Sequence, residues 1–536
     1  MTSEQVIRGG RVIDGTGSPP FDADVVIGGG RIVDVARAGG PVGARRVIDA
    51  EGMIVCPGFV DIHTHCDYTL PRSPRASSYL RQGVTTLVLG NCGMSPFPVR
   101  GEPYGSFLAR DLDVSWESPR EFLAMLAALP LGPNVAQLVG HGSIRAAVMG
   151  FAERAPSDVE LTRMQRCVTE AHEAGVYGLS SGLIYAPGCY AEIEEVAALA
   201  SVSARHGGFY ATHLRDEGDG LLSSVEEALE IARRSGAPLQ LSHHKAIGRA
   251  NWGRTAQSLG LIDRARAEGL DVLSDQYPYT ATSTSLEVYL PTWTLRGGSR
   301  GLRELLADPA SHRTIADEIR TGHGQRDSGL RRFEPESILI CGVAGTESPL
   351  SGKRLSEVRP DLDPVEVLLE LLGSYGDRVE IVAFSLSEAD VRRVLRHEAV
   401  CVASDGWVLG PEAGGTPHPR SYGTFPRVLG RYVRDDGVLS FEEAIRKMTS
   451  MPASRLPGAD VGHLRPGARA DVVVLDPERI ADTATFSAPH GFAVGIRSVV
   501  VNGELVIADS EETGAAPGRV LRSRGAVRDQ SAGRSR

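Results

Sequence analysis

The sequence predicts an α/β protein: a distorted (β/α)8, TIM-like barrel with a small composite β-sandwich domain built from both chain ends and an insertion late in the barrel. Three observations carry this reading. Between Phe59 and Ser404, short apolar runs alternate with helical stretches, the pattern of a parallel α/β fold. Most of those runs are continuously apolar rather than alternating, as expected of strands covered on both faces. Both ends of the chain share a different texture, short β segments broken by Gly, Pro and Asp, and neither end has enough strands for a core of its own.

In chain order, Gln5–Ile7, Arg11–Ile13, Val25–Ile27 and Arg31–Val35 read as strands within residues 1–57. The barrel is assigned to residues 58–457. Its strand candidates are Phe59–His65, Thr85–Gly90, Val135–Gly140, Val176–Leu183, Phe209–Leu214, Leu239–His243, Val272–Tyr277, Ile338–Gly342, Val379–Phe384 and Val400–Ser404. That is two more than a barrel needs, and alternation is poor between residues 285 and 384, so the insertion is assigned there. Helices are predicted over Arg120–Leu129 after Ser118-Pro119, over Asp158–Ala174 after Ser157 and closing at Gly175, and over Val365–Leu372 after Asp363-Pro364 and closing at Gly373. Residues 458–510 bring Asp471–Leu475, Ile496–Val501 and Glu504–Ile507, the last two joined by Asn502-Gly503, a strong hairpin signal. Segments 1–57 and 458–510 are expected to form one domain. Residues 511–536, rich in Gly, Ser, Ala and Arg, read as a disordered tail.

Composition narrows the function. The 536 residues carry 57 Lys and Arg against 67 Asp and Glu, a net charge of −10, and only 6% aromatics. This argues against a broad nucleic-acid-binding face. No apolar run approaches the roughly 18 residues of a membrane span, and Met1-Thr2-Ser3-Glu4-Gln5 lacks the basic-then-apolar pattern of a secretory signal. Seven Cys, an odd number without framework spacing, fit reduced thiols. The expectation is a cytoplasmic enzyme acting on a small molecule, with no nucleic-acid or membrane partner and no assigned oligomeric state.

The chemistry-bearing residues gather at strand ends. His63 and His65 sit two apart on one strand and so share a face, which suits one divalent metal. Cys92 follows the second strand, His213 ends a later one, His243-His244 ends the next, and Asp405 ends the last. The ends of barrel strands converge on one face, where barrel active sites lie. Five strand ends carrying His, Cys and Asp together point to a metal site.

The sequence resembles the amidohydrolase superfamily, through His63-x-His65, the later His pair and Asp405, and within it the D-aminoacylases (N-acyl-D-amino-acid deacylases). The narrower resemblance rests on Gly58–His65, Asn91-Cys92-Gly93, Gly178–Gly188, Thr212–Glu217, Ser242–Lys245, Asp275–Tyr279, Ala403–Gly406 and His418–Arg427. Many superfamily members carry a carbamylated Lys after the fourth strand. Ser180-Ser181-Gly182-Leu183-Ile184-Tyr185 has none, whereas the D-aminoacylase pattern puts a Cys after the second strand, and Cys92 stands there. The resemblance implies a tightly held Zn²⁺ on Cys92, His213 and His243. It also implies a second, weaker position on His63, His65 and Asp405, with Cys92 able to bridge. Of the adjacent histidines, His243 is chosen because it shares a strand face with Leu241 and because the family motif begins there.

The implied reaction is attack of zinc-activated water on the acyl carbon of an N-acyl-D-amino acid, giving a carboxylate and a free D-amino acid. Asp405 acts as general base and then acid. Tyr185, Lys245, Tyr279 and Arg420 are the candidates to hold the substrate's α-carboxylate. Hydrolysis of a D-dipeptide or a cyclic amide would use the same site, and a scaffold that had lost catalysis would show gaps in the ligand set, which is complete here.

Overall fold

The computed structural model describes residues 3–37, 43–99, 114–321, 333–344, 348–410, 413–523 and 525. Eight parallel strands form the barrel sheet: β1 Phe59–Asp61, β2 Val84–Leu89, β3 Asn134–Gly140, β4 Gly178–Gly182, β5 Phe209–His213, β6 Leu239–Leu241, β7 Val272–Gln276 and β8 Val400–Val402. They pair in that order. β1 and β8 meet just past their ends through a Thr64–Gly406 bridge, with Asp405 N donating to His63 O at 2.9 Å and His65 N to Gly406 O at 2.9 Å. Every residue of β2, β3, β4 and β5 is buried, the physical reason these strands read as unbroken apolar or small-residue runs.

Several strands stop earlier than their sequences suggest, β1 by four residues and β6 and β8 by two. β1 ends at Asp61 because the Asp61 carboxylate accepts from His63 N at 3.2 Å and Ser404 N at 3.0 Å, turning the chain out of the ladder. β6 ends at Leu241 because His243 N donates to the Asp275 side chain at 2.7 Å instead of to a backbone carbonyl of the neighbouring strand. His243 consequently has φ 35°. The shared-face argument from Leu241 therefore does not apply to it.

The helices begin where sequence signals put them. Ser118 and Glu121 cap Pro119–Ala128, Ser157 and Glu160 cap Asp158–Ala174, and the latter closes on Gly175 at φ 110°. The helix after Asp363 spans Pro364–Tyr375 rather than ending at Gly373. A single internal Gly costs only about 1 kcal/mol, and the cap is Gly376, at φ 61°.

Strands from both chain ends form one hydrogen-bonded sheet. Ser3–Val12 is a single bulged strand where two were expected, with the register shift between Ile7 and Gly10. It pairs with Phe21–Gly28 on one side and, on the other, with Ala44–Asp49 along its first half and Ile54–Pro57 along its second. The sheet divides there. Ile54–Pro57 continues into Val472–Leu475, Ile496–Val501 and Glu504–Ala508. Alternation sends Val472, Val474 and Val500 into a cluster with Ile7, Val25 and Ile27, while Val473, Leu475 and Val499 join the barrel core.

Between Thr282 and Ala383 lies a three-stranded antiparallel sheet, Thr282–Ser285, Val379–Ala383 and Ile338–Val343. Its own cluster, including Leu286, Ile315, Ile340, Leu368 and Ile381, is separate from the barrel core. The two surplus strand candidates belong to this sheet.

Residues 511–523, expected as the start of a disordered tail, are ordered. Glu511–Glu512 pairs with Glu504–Ala508, Leu521 N donates to Val135 O at 2.7 Å, and Leu521 is buried. The segment is held by backbone hydrogen bonds to the start of β3 rather than by an apolar pattern, so composition gives no sign of it. Residues 526–536 lie outside the described residues.

Candidate metal centre

Side chains from five strand ends converge at one end of the barrel. His63 and His65 meet edge to face, with ring centroids 5.5 Å apart. Cys92 lies in the turn after β2, His213 closes β5, His243 follows β6 and Asp405 follows β8. All six are buried or nearly so. Their donor atoms fall into two groups, each within 4.8 Å: His63, His65, Cys92 and Asp405, and Cys92, His213 and His243. The Cys92 thiol belongs to both. Its Sγ is 3.3 Å from His63 Nε2 and 3.5 Å from His243 Nε2. His213 Nδ1 and His243 Nε2 are 2.9 Å apart.

The backbone is bent to achieve this. Among the described residues eight non-glycines have positive φ, and three are Cys92 (51°), His243 (35°) and Asp405 (53°). Such conformations cost on the order of 1–3 kcal/mol each and persist where the surroundings over-determine them. At Cys92 the surroundings include a glycine contact. A Cβ on Gly182, the last residue of β4, would lie 2.2 Å from Cys92 O, so only glycine lets the Cys92 turn seat there.

Carboxylates behind the cluster orient the rings. His63 Nδ1 is 3.2 Å from Asp275 Oδ1, leaving Nε2 turned to the cluster. Asp275 also accepts from His243 N at 2.7 Å and Gln240 Nε2 at 2.8 Å. Asp405 Oδ1 lies 2.9 Å from His65 Nε2 and 3.4 Å from His63 Nε2, and its Oδ2 accepts from Arg420 at 2.7 Å. Burial alone would raise the Cys92 thiol, but the His63 and His243 imidazoles hold it well below the usual thiol range. Burial would also raise Asp405, but Arg420 and then His63 hold it well below the carboxylate range. Burial works against charging His65, yet Asp405 and Cys92 push it up to about 9. Imidazole nitrogens, a thiolate and a carboxylate converging in this way are the donor set of a zinc site.

The cluster opens into a cavity of about 700 Å³ whose far wall comes from the insertion, including Thr282–Ser285, Glu287, Leu290, Leu295, Arg378 and Glu380. Of the residues expected to contact substrate, Tyr185, Lys245 and Arg420 line this cavity. Tyr185 packs edge-on against His213 at 5.0 Å and hydrogen-bonds Thr284 at 3.1 Å. Lys245 Nζ is engaged by Glu217 at 2.7 Å and His243 O at 2.9 Å. Tyr279 does not line the cavity. β7 has ended, and a tight turn around Pro278, with Tyr279 N donating to Tyr277 O at 3.0 Å, carries the ring behind the site against His418 and Phe486. Tyr277 lines the cavity instead, with the Arg420 guanidinium 5.1 Å from its ring centre. His244 turns into the barrel wall, its Nε2 2.8 Å from Ser258 Oγ.

Sequence reasoning assigned no role to Glu217, Asp275, Tyr277, Arg378 or Trp407, which packs on His65 at 5.4 Å. Asp275, Glu217 and Tyr277 stand inside the motifs quoted for the resemblance, and Asp275 shares the strand-end position of the other donors, which is the signal that could have found it. Arg378 carries no local signal.

An amidohydrolase family model matches residues 46–507. The chain belongs to the amidohydrolase family. Being 37% identical to a D-aminoacylase of Alcaligenes xylosoxydans xylosoxydans, over 96% of its length and 97% of that protein's, it belongs within that family to the D-aminoacylases. It is 39% identical to an N-acyl-D-glutamate deacylase of Alcaligenes xylosoxydans xylosoxydans, over 96% of each chain. Among solved structures, the N-acyl-D-glutamate deacylase of Bordetella bronchiseptica, complexed with zinc and a phosphonate mimic of the tetrahedral intermediate, is 35% identical with a TM-score of 0.83, covering 98% of this chain and 100% of that one. A D-aminoacylase structure, described for its binuclear metal center with one-metal activation and second-metal attenuation, is 36% identical with a TM-score of 0.82, covering 97% and 100%. The curated relatives and both solved structures are matched over nearly their full length.

Proposed function

We propose that this chain is a zinc-dependent hydrolase that cleaves the amide bond of N-acyl-D-amino acids, releasing a carboxylate and a free D-amino acid. The observation that carries the reading is the pair of donor groups sharing Cys92 at the floor of a cavity lined by cationic side chains. Cys92, His213 and His243 hold the tighter metal position, and His63, His65 and Asp405 a weaker second one. Zinc bound there supplies Lewis acidity at the acyl carbonyl and brings the pKa of a water down to about 7.

The protein's own groups do the rest. Asp405 is held ionised and pinned through Oδ2 by Arg420, so Oδ1 faces the cluster as the base that takes the water's proton and returns it to the departing amine. Lys245 and Arg378 line the cavity without belonging to either donor group, and they receive the α-carboxylate. Tyr185 walls the site beside His213. An odd number of cysteines, seven, without framework spacing fits a reducing compartment, and we propose the cytoplasm. Among the described residues no helix is long and apolar enough to cross a membrane.

The test is a panel of N-acetyl-D- and N-acetyl-L-amino acids, D-dipeptides and cyclic amides assayed with added zinc. Turnover of the N-acetyl-D series alone is the expected result. Turnover confined to the L series or to cyclic amides would overturn the assignment.

A further inference from the structure

Two of the donors place opposite demands on their protons. In the cluster of Cys92, His213 and His243, His213 presents Nδ1 and His243 presents Nε2. A ring nitrogen can ligate only if its proton sits on the other nitrogen. His213 must therefore carry its proton on Nε2, and His243 on Nδ1. The two nitrogens meet the same side chain. Glu217 Oε2 stands 3.5 Å from His213 Nε2, which is buried and has no hydrogen-bond partner, and Glu217 Oε1 stands 3.1 Å from His243 Nδ1.

Lys245 sharpens the requirement. Its Nζ is 2.7 Å from His243 Nδ1. An ammonium has only donors, so acting alone Lys245 would force His243 Nδ1 to accept and drive the ring proton onto Nε2, the nitrogen turned to the cluster. Glu217 Oε1 lies 2.7 Å from the same Nζ. It can accept from Lys245 and from His243 Nδ1–H together, which removes the conflict.

From this geometry we infer that Glu217 is the positioning residue of the tighter metal position: one buried carboxylate sets the tautomers of both histidines and keeps the Lys245 ammonium from imposing the wrong one. The inference rests on the ligand set proposed above. A carboxylate is required because it accepts on both oxygens. A glutamine would keep one acceptor and turn an NH₂ toward the other imidazole N–H, setting donor against donor.

The experiment is the zinc dissociation constant of the purified holoenzyme, measured by competition with a chelating dye, in the parent protein, Glu217→Gln, Glu217→Asp and Cys92→Ala, with the melting temperature of each zinc-stripped protein alongside. Loss of orienting partners of metal ligands weakens metal binding by about 10–100-fold, and that loss is expected in Glu217→Gln. Glu217→Asp keeps the charge that neutralises Lys245 but draws the carboxylate back by one methylene, so it is also expected to bind zinc more weakly. Parent-like zinc affinity in Glu217→Asp would reduce Glu217 to a counter-ion for Lys245 and overturn the inference, as would a Glu217→Gln protein whose only change is a lower melting temperature. Cys92→Ala separates the two layers. Zinc lost there but unchanged in both Glu217 variants overturns the role of Glu217 alone, whereas zinc retained in Cys92→Ala overturns the ligand set beneath it.

Discussion

Asp405→Asn separates catalysis from metal binding and from folding. Asparagine keeps the size of the side chain and one acceptor oxygen but removes the base. Two to four decades of kcat should be lost, the usual contribution of a positioned acid–base group, or about 2.7–5.4 kcal/mol at 1.36 kcal/mol per decade. The tighter metal position does not include Asp405, so one zinc per chain should remain. A second, independent cost follows from the structure. Arg420 is buried and donates to Asp405 Oδ2 at 2.7 Å. Removing the partner of a buried charge costs about 3–5 kcal/mol, and the acceptor that asparagine retains keeps the loss toward the lower end. The double variant Asp405→Asn/Arg420→Met removes that stranded charge, so it should recover melting temperature relative to Asp405→Asn without recovering kcat. The assay is kcat at saturating zinc with metal content and melting temperature measured on the same samples. Full zinc with near wild-type kcat in Asp405→Asn would refute the catalytic role, and recovery of kcat in the double variant would refute the separation of the two effects.

Arg378→Ala should lower kcat/KM by about 10–100-fold for N-acetyl-D-amino acids, matching the roughly 1.5–3 kcal/mol of a hydrogen bond to a charged group, with little loss for the corresponding carboxamides; equal losses on both would remove Arg378 from carboxylate binding. Acid stability depends on His172, which is buried with Nε2 3.0 Å from Ser203 Oγ and lowered to about 3 by burial and then by His206. Because the unfolded chain takes up this proton near pH 6.5 and the folded chain only near 3, stability is full above 6.5 and declines as pH falls between those values, by on the order of 5 kcal/mol. His172→Gln, which cannot titrate, should flatten the denaturant-derived stability curve across that window, and an unchanged slope would refute the assignment.

The parts of the fold legible in the sequence are those fixed by local pattern. Val84–Leu89 and Asn134–Gly140 are buried on both faces and read as strands, and Ser157 with Glu160 announces its helix. The positions of the donors were legible because they stand at strand ends, and topology alone brings strand ends together. Their orientation was not. His63 and His243 leave their strands because the Asp61 and Asp275 carboxylates capture their backbone N–H groups, and those partners are set by tertiary contact. Tyr279 was misplaced for a related reason. It was named from its place in the Asp275–Tyr279 strand-end motif, whereas the turn at Pro278 ends the strand and sends the ring behind the site. Residues 511–523 order through backbone groups, which composition does not record.

The arrangement divides the work of the enzyme between two bodies with separate cores. The donors stand at or just past the ends of barrel strands, where burial leaves little freedom to move. Much of the cavity wall comes from the segment between Thr282 and Ala383, whose cluster around Leu286, Ile340 and Leu368 does not merge with the barrel core. Side chains on that wall can change without disturbing the packing that holds Cys92, His213 and His243. The two bodies still need a fixed relation, since a cavity wall displaced by an ångström costs turnover. Phe486, from the C-terminal segment, packs at 4.8 Å on Phe384 at the end of the insertion, at 5.0 Å on His418 beside Arg420, and at 6.2 Å on Tyr279. Phe486 thus ties the insertion, the barrel and the C-terminal segment together directly behind the site. On this reading, side chains of the inserted wall such as Leu290 and Leu295 govern which D-amino acid is accepted, while Phe486 governs how firmly that wall is held. Shaving Phe486 should therefore raise KM across all substrates alike, and exchanging Leu290 or Leu295 should reorder them.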